Sequence, residues 1–395
     1  MKILVLNSGS SSIKFQLFNL EDLSVISHGI VEGIGEKKSH FLIEANGNTY
    51  TEEKQIPNHA TGLETINKHI NLKTLDGIGH RVVHGGEEFF KPVLINSKVI
   101  ESIKKLSVLA PLHNPANLAG IEVAIKKTPN TPQVAVFDTA FHHSMPNYAY
   151  HYALPDEMYK KHHVRRYGFH GSSHQYVASI AAKLLNKPFE ELNIITIHLG
   201  NGASIAAIKN GKSIDTSMGF TPLEGLIMGT RSGDLDPAII FYLCQKLNLS
   251  ITKIDTMLNK QSGLKGICGS NDMREILDLI KKGDKKASLA LEMFIYRIKK
   301  YIGSYVAVIG KVDALIFTGG IGEHVPIVRQ KVCQGLEDGL GIVIDLNKNL
   351  QNNSSKISLD NSKIKIFIIP TNEELFIAIE SRSIIKKYLK TIVHK

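Results

Sequence analysis

The sequence predicts an α/β protein built twice over, two domains of related topology facing each other across a cleft. Two observations carry this. Each half opens with short apolar strands flanking a Gly/Ser/Asn-rich tip, residues 7–12 in LNSGSSSIKF and residues 198–204 in HLGNGAS. In each half, helices then follow the strands.

In the first half, strands are expected over 3–6, 13–18, 25–31 and around 78–84. A helix over 97–108 follows from apolar residues at helical spacing. Another starts at Asn114-Pro115, read as an N-cap donor before a proline at the first helical position. A buried strand over 134–137 ends in Asp138, and residues 144–165, rich in Tyr, His and Pro, suit a crossover between domains. The second half repeats the grammar: strand 194–197, the HLGNG tip, strand 205–208, an Asn210-Gly211 turn and strand 213–217. A long helix over 284–309 places Phe294, Ile298, Tyr301, Ile302, Tyr305, Val306 and Ile309 on one stripe. Strand 314–317 runs into the glycine turn FTGGIGE, strand 365–369 follows, and Thr371 and Glu374 stand at capping-box spacing before the last helix.

At 395 residues, with 43% hydrophobic and 21% charged residues, the chain is sized for two or three ordinary globular domains. No apolar run approaches the roughly 18 residues of a membrane span, and residues 1–6 are too short for the core of a signal peptide. Neither membrane insertion nor export is expected. Cys244, Cys268 and Cys333 are scattered and odd in number, which argues against disulfides or a zinc knuckle and fits a reducing cytoplasm. The formal charge of +10 invites nucleic acid, yet it comes from 39 Lys and only eight Arg, the lysines lying mostly singly or in pairs on helix faces. Solvated surface explains them, and no nucleic-acid partner is expected.

The tips read as phosphate clamps. Small residues let backbone N–H groups approach an anion and tolerate positive φ, while Asn and Ser add neutral donors. Asn201-Gly202 is equally the ordinary signal of a tight hairpin, so it is the pairing of two tips that points to a duplicated nucleotide site. Gly211-Lys212-Ser213 imitates the end of a Walker A motif, but Ala206 stands where that motif needs glycine, so it is set aside. FTGGIGEH puts three glycines between a buried strand and a helix, where backbone can lie against an adenine or a phosphate. Asp272 is either a helix cap or a nucleotide contact. Arg231 in MGTRSGDLDP and Arg81 in GHRVVHGGE can each fork onto a carboxylate or a phosphoryl group. His170 and His174 are spaced for a metal on a helix, but no third ligand accompanies them and Gly171 interrupts; a charge-stabilising His170 is the better functional reading, beside a structural one.

In order along the chain, LNSGSSSIKF, GHRVVHGGE, APLHNPANL, FDTAFH, RYGFHGSSH, HLGNGAS, MGTRSGDLDP, GGIGE and TNEE resemble the acetate kinase family from first strand to last helix. That resemblance implies two RNase H-like domains of the actin-like ATPase fold, flanking an interdomain cleft. The first is expected over 1–148, completed by a helix over about 375–395, and the second, nucleotide-binding, over 149–374. It implies ATP as co-substrate, Mg²⁺ (or Mn²⁺) as cofactor, acetate as acceptor and a homodimer. Carried over by position, Asn7 and Glu373 surround the metal and Lys14 meets the phosphates. His198, Leu199, Gly200, Asn201, Gly202, Asp272, Met273, Arg274, Gly320, Ile321, Gly322, Glu323 and His324 bind ATP. Arg81 and Arg231 hold the carboxylate and the phosphoryl group, His170 stabilises it, and Asp138 is the acid of the reacting centre. Val83, Leu112, Phe169 and Pro222 line the pocket for the methyl group. Ser172, Gly319 and His324 depart from the commoner Thr, Ala and Asn of the family.

Because the attacking carboxylate is already ionised, no general base is required, and Asp138 is expected to orient Mg²⁺, water or Arg. The alternatives are a propionate kinase of the same family, a nucleotide-switched module without a second substrate, and a two-metal nuclease, which would need more carboxylates than Asp138 and Glu373.

Overall fold

Alternation along the first strand frames the N-terminal unit. Leu4 and Leu6 point to one face of the sheet and Ile3 and Val5 to the other, so that both faces need cover. The computed structural model describes residues 1–45, 47–111, 113–351 and 355–393. They form two units, residues 1–141 with 372–395, and residues 142–371.

The N-terminal unit holds β1 (Lys2–Ser8), β2 (Ser12–Asn19), β3 (Ser24–Glu32), β4 (Ser39–Ala45), β5 (Asn48–Lys54), β6 (Gly77–Val82), β7 (Val93–Leu94) and β8 (Gln133–Phe137). They form one sheet in the order β5-β4-β3-β2-β1-β6-β8-β7. The first five strands run as an antiparallel meander, and β1, β6 and β8 are parallel. One core packs Leu4, Phe15 and Ile43 against Leu63 and Ile66 of helix His59–Asn67 and Ala124 of helix Asn114–Lys127. On the opposite face, Ile3, Val5 and Val134 meet Ile377, Ala378 and Ile385 of the last helix, Glu373–Val393. Glycine permits that contact: a Cβ on Gly77 would lie 2.1 Å from Ile385 Cδ1, and one on Gly79 2.5 Å from Ser381 Oγ.

The C-terminal unit holds β9 (Ile194–Leu199), β10 (Ala203–Lys209), β11 (Lys212–Thr216), β12 (Ala314–Thr318) and β13 (Lys365–Ile368), in the order β11-β10-β9-β12-β13. Again an antiparallel three-strand meander is joined to two parallel strands. The order matches β3-β2-β1-β6-β8 strand for strand, the duplication the sequence predicts. The long helix Lys285–Ile309, N-capped by Asp284, buries Phe294, Ile298, Ile302, Tyr305 and Ile309 of the expected stripe, while Tyr301 and Val306 are half-buried.

Several local expectations are corrected. Asn114 is the first residue of its helix and not its cap; it is wholly buried, and its amide pairs with the backbone of His84. The last helix is capped by Asn372, whose Oδ1 accepts from Leu375 N–H, while Thr371 bonds to Ser173 and Glu374 pairs with Lys14. Gly171 does not break a helix but begins helix Gly171–Leu185. The stretch 144–165 carries two short helices, Asn147–Tyr150 and Asp156–His162, within the C-terminal unit. No helix among the described residues is long and apolar enough to cross a membrane.

Candidate active site

In the N-terminal unit, parallel β6 and β8 bring Arg81 and Asp138 to neighbouring strand ends. Arg81 Nε donates to Asp138 Oδ1 at 3.1 Å and Nη2 to Oδ2 at 2.5 Å, while Nη1 reaches Asn7 Oδ1 at 3.4 Å. The start of the last helix adds Glu373, whose Oε2 is 3.9 Å from Arg81 Nε. Burial lowers the proton affinity of the Arg81 guanidinium, but the Asp138 and Glu373 carboxylates more than reverse that. Burial also pushes the Glu373 carboxyl up to about 7, against the pull of Arg81. Lys14, the cross-strand partner of Asn7, pairs with Glu374 at 2.8 Å.

The backbone after Arg81 is pinned by amides. Asn117 accepts from Val83 N–H and donates to Ser8 O, and Asn114 both accepts from and donates to the His84 backbone. The β1–β2 tip is held by His59, whose Nε2 lies 2.7 Å from Gly9 O. The motif APLHNPANL does not reveal these roles by itself, because their partners lie 30 or more residues away.

In the C-terminal unit, the residue before helix Gly171–Leu185 is His170, held at φ 54°. Its ring stacks on His198 with centroids 4.4 Å apart, and its Nδ1 lies 2.9 Å from Ser204 Oγ. A Cβ on Gly202 would lie 3.4 Å from His170 Nε2 and 3.5 Å from Arg231 Nη1, so this glycine lets imidazole and guanidinium converge on the β9–β10 tip. Arg231 Nη1 donates to Pro222 O at 3.1 Å, and burial lowers the proton affinity of its guanidinium. His174 is fully buried, with Nδ1 engaged by Thr196 and Nε2 by Ser204.

Three segments far apart in sequence line one groove of about 510 Å³: Gly200 and Asn201, then Asn271 through Arg274, then Gly320, Ile321, His324 and Val325. Asp272 caps helix Met273–Lys281 and pairs with Arg274, whose hydrogen bonds hold its carboxyl down at about 2. Glu323 is not among the residues that line the groove. Its Oε1 accepts from Gly319 N–H, Thr318 Oγ1 and Thr371 N–H, fixing the loop from within. Arg329, which sequence reasoning missed, lies beneath the same loop and donates to the carbonyls of Gly322 and Glu323. His198, Leu199, Gly202 and Gly322 do not line the groove.

Among the residues assigned to the methyl pocket, Val83 is buried in the N-terminal unit, whereas Phe169 and Pro222 belong to the C-terminal unit. Leu112 lies outside the described residues.

Twin sheets of this order, one carrying a nucleotide-sized groove beside a His–Arg pair, define a phosphotransferase of the acetate and sugar kinase, actin-like ATPase fold. A family profile described as "Acetokinase family" matches residues 2–379. The chain belongs to the acetokinase family. It is 55% identical to the acetate kinase of Campylobacter concisus, over 98% of this chain and 99% of that protein. Its fold superposes on the crystal structure of Porphyromonas gingivalis acetate kinase with a TM-score of 0.92 at 46% identity, covering 97% of this chain and 99% of that one. A propionate kinase from Francisella tularensis gives 0.91 at 48% identity, with the same coverage.

Proposed function

We propose that this chain reversibly transfers the γ-phosphoryl group of ATP to acetate, giving acetyl phosphate and ADP. The observation that carries the reading is the convergence of His170 and Arg231 on Gly202, at a tip whose preceding residues line the groove. A hydrogen-bond donor beside a guanidinium there suits a phosphoryl group whose charge spreads over three equatorial oxygens.

In this mechanism a carboxylate oxygen attacks phosphorus in line, and ADP leaves as its β-phosphate oxygen takes the bond electrons. Acetate is ionised at neutral pH, so no proton has to be removed. Arg81 steers the acetate, with Asp138 gripping one edge of its guanidinium and fixing its direction. Val83, Leu112, Phe169 and Pro222 receive the methyl group. The nucleotide lies against Gly200 and Asn201, Asp272 through Arg274, and the 320–324 turn, with Lys14 on its phosphates. Asn7 and Glu373 would hold the magnesium ion, an amide oxygen and a carboxylate oxygen being the sparse hard-oxygen donor set that such an ion takes. A half-buried carboxyl pushed up to about 7, with a guanidinium 3.9 Å away, would gain from a divalent cation. When bound, Mg²⁺ neutralises phosphate charge.

The protein works as a homodimer in this reading. Helix Ala238–Lys246 buries none of its residues and leaves Phe241 and Tyr242 more than half exposed, an apolar face that a second copy would cover. Light scattering of the purified protein tests this, and a monomer at micromolar concentration refutes it. Three free thiols suit a reducing cytoplasm.

The likeness to a propionate kinase keeps a longer acceptor in view. Incubation with ATP, Mg²⁺ and carboxylates of increasing length, with hydroxylamine to trap acyl phosphate, tests the reaction and its acceptor together. Acyl hydroxamate from acetate is expected, and none from any short carboxylate would overturn the proposal.

A further inference from the structure

Four side chains of the C-terminal unit stand nose to tail. Thr196 Oγ1 is 2.7 Å from His174 Nδ1, His174 Nε2 is 2.8 Å from Ser204 Oγ, and Ser204 Oγ is 2.9 Å from His170 Nδ1. Thr196, His174 and Ser204 are completely buried. Burial, reinforced by the neighbouring His142 and His198, holds His174 neutral, so its ring carries one proton.

That single proton couples the chain. Ser204 also has one proton, so whichever histidine it donates to, it must accept from the other. With the His174 proton on Nε2, Ser204 accepts from His174 and donates to His170 Nδ1, and the His170 proton is then confined to Nε2. Thr196 completes the sequence by donating to His174 Nδ1. The reverse polarity would put the His170 proton on Nδ1 and turn a bare lone pair at Nε2 toward Gly202 and Arg231, where an anionic phosphoryl group would be repelled. For a His170 ring that carries one proton, only the first polarity gives a donor where the reaction needs one.

We propose that His174 and Ser204 are positioning residues for phosphoryl transfer: the chain Thr196–His174–Ser204 holds His170 as its Nε2–H tautomer, a neutral donor aimed at the transferring group. This rests on the kinase reading above for its purpose, but the tautomer itself is a property of the protein without substrate. His174 touches no substrate and acts through His170 alone.

The test has a spectroscopic arm and a kinetic arm. In full-length protein with ¹⁵N-labelled histidine rings, the His170 signals are identified by their loss in His170→Gln. At neutral pH they are expected to show a protonated Nε2 and a bare Nδ1, and Ser204→Ala should abolish that bias. In the kinetic arm, Ser204→Ala and His174→Leu should lower kcat by about 10- to 100-fold, with KM for ATP and acetate moving by less than about twofold. His174→Gln, whose amide NH₂ can still donate to Ser204, should recover most of the loss. A His170 signal with the proton on Nδ1, or on both nitrogens, overturns the proposal, as does a kcat loss that His174→Gln fails to recover. If Ser204→Ala does not fold, the wild-type spectrum and the two His174 variants still decide. If the protein makes no acyl phosphate, the kinase reading fails while the tautomer is still read directly.

Discussion

Arg81 and Asp138 lock together from adjacent strand ends, two N–H groups of one guanidinium facing two oxygens of one carboxylate at 3.1 and 2.5 Å. Asp138 is 1% exposed, and its own N–H is spent on Val82 O. That pairing leaves the Nη1 corner of Arg81 beside Asn7, and in the mechanism proposed above Asp138 orients the guanidinium while this corner meets the incoming anion.

Replacing Asp138 by Asn keeps the shape but removes the charge and one of the two acceptors. Arg81 then loses its fixed direction, and misplacement of a steering group costs about 100-fold or less in rate. Asp138→Asn should therefore lower turnover by about 10- to 100-fold and raise KM for acetate more than KM for ATP. The activity pH profile should keep its shape. Disappearance of its acidic limb in the variant would mean that Asp138 removes a proton.

Arg329 supports the nucleotide loop from below. Its side chain is buried, and all three guanidinium nitrogens donate to neutral acceptors: Nη1 to Gly322 O and Glu323 O, Nε to Asn349 Oδ1, and Nη2 to Asn349 O. Burial brings its pKa down to about 10, so it remains charged at neutral pH. Arg329→Met leaves those carbonyls without donors and frees the 319–324 turn. KM for ATP should rise about tenfold while KM for acetate stays put. Equal changes in both constants would show that the arginine serves general stability and not the loop.

What the sequence made legible was local chemistry. The tips at 7–12 and 198–204 could be read because Gly, Ser and Asn are rare together between apolar strands, and the repeat of the pattern announced the duplicated sheet order. Where reading failed, a local signal competed with a distant partner. Asn114 before Pro115 has the form of a cap, yet its amide is drawn to His84 on another element. Thr371 has the form of a capping-box residue, yet its N–H goes to Glu323 and its hydroxyl to Ser173. The β4–β5 hairpin escaped because β5, NTYTEEK, is a polar edge strand with no buried residue to mark a period. Nothing in GGIGEH announces that the Glu323 carboxylate binds the turn's own backbone.

His80 makes stability depend on pH. It is buried in β6 with Nε2 2.8 Å from Gln133 Oε1, and burial lowers its pKa from 6.5 to about 4. The unfolded chain therefore takes up a proton in a range where the folded protein resists it. Stability is fully present above pH 6.5 and is lost as pH falls from there toward 4, by on the order of 3 kcal/mol for this residue at most. His80→Asn should flatten the pH dependence of urea unfolding between pH 7 and 4.5, relative to the unaltered protein. Parallel curves for the two proteins would place the titration elsewhere.

Val83 decides between acetate and propionate if it bounds the methyl pocket. It is 7% exposed, and its N–H is tied to Asn117 Oδ1, so truncating the side chain leaves the backbone in place. Val83→Ala removes two methyl groups and opens room for one methylene. An added methylene in an apolar site is worth about 1 to 3 kcal/mol, which bounds the change at roughly 10- to 200-fold. The ratio of kcat/KM for propionate over acetate should therefore rise about tenfold in Val83→Ala, mostly through a poorer fit of acetate and a better one of propionate. KM for ATP is the internal control and should not move. If the ratio is unchanged, Val83 lies outside the pocket, and chain-length selection rests with the residues of the C-terminal unit, Phe169 and Pro222.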